Sequence, residues 1–342
     1  MSRLPSRTLA LTAFLGLVLM FTSSTSQAQY QLTNLVSNQA GAAKHDDPLL
    51  VNAWGLVYAP GSPFWISDNG SGWSTLYTGG GAKQPLNVLI PPASGDGPGS
   101  PTGIAFNGSS DFQIQAWSTF FLFATLDGTI SGWAPQANPN QAIIAVTTPG
   151  AVYTGLAITS KSSGNFLFAA DNANNKVDVF NGTFTHVKSF TDHTLPPGFA
   201  PFGIQDFGGL LYVAFASTSG ASGGFIDIFS EHGEFLKRVA QGPPLNQPWG
   251  LALAPKNFGP LSNTLLVSNN TNTGTINAFN SITGQVVGTL KDTSGNVIHI
   301  DQLWGIEFGG GSPNNGSTNQ LFFTAGPDNN KAGTFGVIAF KP

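Results

Sequence analysis

The 342-residue sequence predicts an all-β fold: a six-bladed β-propeller of four-stranded antiparallel blades, its ring closed 3+1 by the N-terminal strand. Three observations carry that expectation. First, a phrase of glycine followed by an aliphatic residue occurs six times, as WGLVY at 54, TGIAF at 102, TGLAI at 154, FGIQD at 202, WGLAL at 249 and WGIEF at 304. Its glycines stand at 55, 103, 155, 203, 250 and 305. A period of about 50 residues is the signature of a solenoid or propeller. Second, each copy leads into further short runs rich in β-branched and aromatic residues, separated by turn residues, which reads as four antiparallel strands. Third, the sixth unit ends after three such runs, while YQLTNLVSN at 30–38 precedes the first unit with no other partner. A strand from that segment would complete the last sheet and leave no open edge.

The repeats start near 52, 100, 152, 200, 247 and 302 and fill one expected domain, 29–342. The second run of each is apolar: FWIS at 64, FFLFAT at 120, FLFAA at 166, LLYVAF at 210, LLVS at 265 and LFFTA at 321. A polar hairpin follows, as in DNGSGW, LDG, DNANN and NNTNTG, before the third run. No stretch sustains a helical period. Within the first strand of a unit, alternate positions fall on opposite faces. One face carries the glycine and then Val57, Ala105, Ala157, Gln205, Ala252 or Glu307; the other carries Trp54, Trp249 or Trp304 and a Leu or Ile. Small against bulky suits close packing near a crowded axis, so the tryptophans read as core.

Composition narrows the function. Residues 1–28 read as a signal peptide, with Arg3 and Arg7, an apolar run from Thr8 to Phe21 and small residues at Ser26 and Ala28. That run is shorter than the ~20 residues of a membrane span. The expectation is therefore an exported chain, periplasmic or extracellular, with no membrane span and monomeric. It has no cysteine, and 43 glycines and 23 prolines punctuate it, while 27 phenylalanines argue for a packed core. Charged residues are 9% of the chain and the net charge is −4 without a basic run, which speaks against nucleic acid as a partner.

The hairpins between second and third strands share one face of a propeller with the loops entering the first strands. That face gathers His45, Asp46, Asp47, Asn52, Asp68, Asn69, Asp127, Asp171, Asn172, Asn269, Asn270, Asp301, Asp328 and Asn329. Asn52, Asp68, Asn69, Asp127, Asp171, Asn172, Asn269 and Asn270 are candidates for a ligand face, with Gln205 added from an axial slot. The same residue types also serve tight hairpins, because they tolerate left-handed backbone and bond their own turn. An oxygen-only donor set of this kind would suit Ca²⁺ better than zinc. Glu307 stands where four other units carry Val or Ala, so a carboxylate near the axis must be hydrated, paired or metal-bound. Hydrolase and phosphate signatures are missing: there is no GxSxG elbow, GGGAK at 79–83 lacks the P-loop frame, and the five histidines show no HxH or HxxxH spacing.

DPLLVNAWGL and FWISDNGSGWSTLY within 47–77, FLFATLDGTISGW at 121–133 and FLFAADNANNKVDVF at 166–180 resemble a family of uncharacterised secreted bacterial proteins. More distantly, the repeats are similar to NHL-type propellers and to six-bladed gluconolactonase-like propellers. The latter resemblance implies one divalent metal, typically Ca²⁺, on the axis, with Glu307, Asn172 and Asn269 as the analogous ligands here. Three functions stay open. The first is a binding module whose Asp/Asn-rich face takes a protein, glycan or small-molecule partner. The second is a Ca²⁺-dependent lactonase or esterase-like hydrolase, and the third a structural envelope or matrix protein.

Overall fold

The computed structural model describes Met1 and residues 29–161 and 164–341; the expected signal peptide lies outside the described residues. Six antiparallel sheets stand around an axis in the order of the repeats. Blade one runs Ala53–Tyr58, Phe64–Asp68, Trp73–Tyr77 and Lys83–Leu89, from the axis outward. The inner strands of blades two to six are Pro101–Phe106, Tyr153–Lys161, Phe199–Asp206, Pro248–Leu253 and Leu303–Phe308. In blade six the fourth strand is Gln29–Ser37, which pairs antiparallel with Thr334–Lys341 from Gln29↔Lys341 to Ser37↔Thr334, and the short strand His45–Asp46 adds parallel to its outer edge. The 3+1 closure expected from the unpaired N-terminal segment is therefore the observed one. Tyr30 locks it: the ring is buried, and its hydroxyl donates to the Phe258 carbonyl of blade five at 2.7 Å.

The recurring glycine answers a backbone requirement. A Cβ on Gly305 would lie 2.8 Å from the Trp54 carbonyl oxygen of blade one, and one on Gly155 would lie 3.1 Å from that of Phe202 in blade four. Cβ atoms on Gly55, Gly103, Gly203 and Gly250 would likewise strike backbone of the next inner strand. At the glycine position each inner strand thus lies directly against the backbone of its neighbour, all the way round the ring. Further out the blades are wider apart, and aromatic rings fill the gap. Phe64 packs 4.4 Å from Phe322 of blade six, and Trp65 stacks 4.1 Å from Phe121 of blade two. Burying such a side chain contributes about 1.5–3 kcal/mol, which is how a chain without disulfides stabilises a large ring.

The tryptophans are core, as their spacing suggests, but they do not sit between blades. Trp54, Trp249 and Trp304 converge on the axis, where Leu126 and Phe202 pack against them. Among the described residues two elements depart from pure strand: a helical turn Pro327–Asn330, in the hairpin expected after the second strand of blade six, and a 3-10 turn Gly259–Leu261. The former forms because Asp328 and Asn329 hold left-handed backbone, φ 57° and 54°.

Candidate functional site

The axial channel has two unlike ends. Where the inner strands begin, Trp54 and Trp304 stack with centroids 3.6 Å apart, and Trp249 meets them edge-on at 6.2 and 5.8 Å. Hydrogen bonds hold the plug. Trp249 Nε1 donates to the Thr154 carbonyl at 3.0 Å, and Trp304 Nε1 to Asn52 Oδ1 at 3.1 Å. The residue entering each Trp-bearing strand shares one backbone conformation, with φ of 49° at Asn52, 51° at Gln247 and 49° at Gln302. Beyond the plug the channel narrows to about 30 Å³ between the glycines, room for no more than water.

Where the inner strands end, the channel opens into a mouth of about 280 Å³. Its wall is mostly apolar, with Leu56, Ile104, Leu156 and Ile158 among the lining residues, and its polar side chains are Tyr58, Gln205, Asp206 and Glu307. Glu307 keeps part of its surface on the channel while protein encloses it. Burial raises its carboxyl to about 7, against a smaller lowering from the Phe308 backbone N–H. Tyr58 is pushed up to about 12, chiefly by burial and then by the charge of Glu307. Asp206 accepts the Gly209 N–H at 2.8 Å. A carboxyl poised near neutrality beside a phenol and an amide can accept or donate a proton and can orient a small polar molecule.

On the Asp/Asn-rich face most of the named side chains make internal hydrogen bonds. Asn69, Asn172 and Asn270 follow the second strands of blades one, three and five. Their Nδ2 groups donate to the Pro101, Pro201 and Leu303 carbonyls at 3.1, 3.0 and 3.3 Å, each in the inner strand of the next blade. Asn52 bridges Asn69 and Trp304. Asn269 donates to the Pro244 carbonyl at 2.8 Å and accepts from Asn246 N–H at 3.0 Å. Asp127 accepts from Ala93 N–H at 2.6 Å, and Asp171 from Val152 N–H at 3.1 Å and Asn174 Nδ2 at 2.7 Å. Asp68 is fully buried, and desolvation holds its carboxyl well above the usual range. Asp47 is engaged with Lys83 and Tyr77, both at 2.6 Å, and Asp301 accepts the Asp328 N–H at 3.0 Å.

Glu307, Asn172 and Asn269 are therefore not brought together as one metal set. Leu303, beside Trp304, pairs with Ala325, whereas Glu307 pairs with Phe322. Four residues of strand, about 13 Å, separate Glu307 from the level of Leu303, and neither asparagine is among the residues lining the mouth around Glu307. Among the described residues no group of three or more His, Cys, Asp or Glu could hold a metal ion. Of the expected site residues, Gln205 and Glu307 share the mouth cavity. Tyr58 and Asp206 complete it and were not expected. Both sit at the ends of inner strands, Asp206 directly after Gln205 and Tyr58 in the place Phe308 occupies after Glu307, and that register was the available signal.

No protein-family model matches the sequence. Among solved structures the fold is similar to a gluconolactonase from Xanthomonas campestris (TM-score 0.57, 13% identity, 85% of this chain and 86% of that one). It is also similar to virginiamycin B lyase from Staphylococcus aureus (TM-score 0.55, 13% identity, 92% of this chain and 99% of that one). At such identity these likenesses concern the fold alone. The relatives in sequence are viral, where the motifs had pointed to bacterial proteins. Uncharacterized protein L690 of Acanthamoeba polyphaga mimivirus is 28% identical over 91% of this chain and 86% of its own length. Uncharacterized protein R648 of the same virus is 30% identical over 98% of this chain and 88% of its own length, and the chain belongs to the family of that protein.

Proposed function

We infer that this is an exported propeller that binds a small polar ligand in the open mouth of its axial channel, around Glu307. What carries the reading is the placing of the Glu307 carboxyl in a mostly apolar axial cavity, at a slot where four other blades put Val57, Ala105, Ala157 and Ala252 and the fifth the amide of Gln205, with Tyr58 and Asp206 completing the polar lining. A buried carboxyl near the axis is costly unless something it meets there offsets the desolvation. Export to the periplasm or the medium rests on the sequence of residues 1–28. A thermal-shift screen of amines, amino acids, sugars and lactones tests the reading on wild type and Glu307→Gln. The expected hits stabilise wild type alone, since a ligand adds stability only through the native state it binds. Hits that stabilise both proteins equally would remove Glu307 from the site, and a panel without hits would remove the reading.

A second reading, a lactonase or esterase-like hydrolase, is supported by the Glu307 midpoint near 7, where a general base works best at neutral pH. The fold shared with a gluconolactonase makes lactones the first substrates to try. In this reading Glu307 takes the proton of an attacking water. The calcium set drawn from the family resemblance does not fit the chain, because the Asn172 and Asn269 amides donate to the Pro201 and Pro244 carbonyls and neither residue lines the mouth around Glu307. Turnover of lactones and aryl esters, with and without millimolar Ca²⁺, decides it. Hydrolysis lost in Glu307→Gln supports the enzyme, and no turnover in either medium leaves binding alone.

A further inference from the structure

The connection after the inner strand of blade two carries an insertion, a hairpin of Gln113–Ile114 with Trp117–Ser118. It stands on the same face as the open mouth, and Phe106 lines both the mouth and a second cleft of about 370 Å³ beside the hairpin. Trp117 and Phe120 rim that cleft with half their surface in solvent, 50% and 44% exposed. Trp117 is the one exposed tryptophan of seven. Leaving such rings in water forgoes the burial that five of the other six tryptophans obtain, and grouped exposed apolar surface marks a binding site.

The hairpin is held to present them. Its turn residues Gln115 and Ala116 both take left-handed backbone, φ 49° and 68°, where a two-residue hairpin would normally use Asn-Gly. At its base Phe112 is fully buried and donates its N–H to the Gly182 carbonyl of blade three at 2.7 Å. Asn107 ties the two arms through Nδ2 to the Asp111 and Thr119 carbonyls, both at 2.9 Å. The rings are therefore mounted on a fixed support.

We propose that this cleft, walled by the exposed rings of Trp117 and Phe120 and edged by the Gln136 amide and Ser118 hydroxyl, is a binding site for a neutral saccharide chain. None of the side chains that line it is charged. An anionic lipid surface or an acidic peptide would call for basic groups, and a basic partner for acidic ones. An uncharged ligand with flat, weakly polarised C–H faces and a rim of hydroxyls is a pyranose. Its C–H face stacks on the negative face of an aromatic ring, and its hydroxyls exchange hydrogen bonds with amide and hydroxyl edges. Gln136 is exposed in the connection that faces the hairpin, and Ser118 Oγ donates to the Ser110 carbonyl at 3.0 Å, leaving its lone pairs for an incoming hydroxyl. The site is distinct from the Glu307 mouth and does not depend on it.

The test uses the exported protein and β-1,4-linked oligomers of glucose, N-acetylglucosamine, xylose and mannose, with titration calorimetry and acrylamide quenching of tryptophan fluorescence. Five tryptophans are buried and Trp73 is partly buried, so bound saccharide should protect the largest part of the quenchable signal, that of Trp117. At least one oligomer is expected to bind. Trp117→Ala should weaken it tenfold or more and Phe120→Ala nearly as much, with Glu307→Gln unaffected and melting temperatures unchanged for both ring variants. Should a ring variant fail to fold, Gln136→Ala, on a separate loop, carries the comparison with a severalfold loss. No binding by any oligomer at millimolar concentration overturns the proposal. So does binding indifferent to Trp117 and Gln136, or binding of a proline-rich peptide in place of saccharide.

Discussion

At the end of the channel where the inner strands begin, three indoles and Phe202 meet on the axis, and the Trp249 and Trp304 N–H groups bond to the Thr154 carbonyl and Asn52 Oδ1. Four residues along the same strands, the wall is Leu, Ile and Ala, and Glu307 faces an open mouth beside Gln205, Asp206 and Tyr58. The difference teaches where to look for function. A polar group already saturated by internal partners has little left for a ligand, whereas one left to meet water or a solute keeps its capacity. On the face richer in Asp and Asn most of the named side chains help to hold the ring, while the mouth around Glu307 opens on the poorer face.

The largest expected effect comes from breaking the plug. Trp304 is 3% exposed and stacked on Trp54, so Trp304→Ala should cost about 3–5 kcal/mol in urea unfolding. A loss below about 1 kcal/mol would show that the indoles merely occupy space. Midway along the strand, Gly250→Ala would press a methyl against the Trp304 carbonyl oxygen, which cannot yield without moving blade six. About 1–3 kcal/mol of destabilisation is expected, read by the same denaturation. Unchanged stability would mean the inner strands can separate freely.

At the open end the effect depends on pH. The Glu307 carboxyl titrates near 7 in the folded chain and near its ordinary ~4.3 when unfolded. Between these values the native state holds a proton that the unfolded state has released, so stability falls as pH rises through that window and levels off above it. Glu307→Gln should match wild type near pH 4 and exceed it at pH 8 by on the order of 1–2 kcal/mol, the figure being reduced because channel water solvates the carboxylate. Parallel pH profiles of urea unfolding would show the carboxyl to be fully hydrated. The smallest effect belongs to Asn172→Ala, which removes one bond to the Pro201 carbonyl and should cost about 0.5–1.5 kcal/mol. It should leave ligand affinity at the mouth unchanged. A loss of binding in that variant would return the Asp/Asn face to the candidate sites.

The period of the Gly-aliphatic phrase, the four runs per unit and the unpaired segment at 30–38 were enough to state the propeller and its closure. Those features are local or strictly periodic: strand patterning repeats every second residue, and six equal units must bury one another's faces. Glu307 and Gln205 were legible as odd occupants of a repeated slot. Which asparagines bond across to the next blade was not legible, because Asn69, Asn172 and Asn270 reach carbonyls 32, 29 and 33 residues away, and composition cannot tell a staple from a ligand. Nor could spacing say that three tryptophans from blades five, six and one would meet on the axis, or that Trp117 would be the one left in solvent. Those outcomes depend on where the closing of the ring places each strand end, and only the tertiary structure decides that.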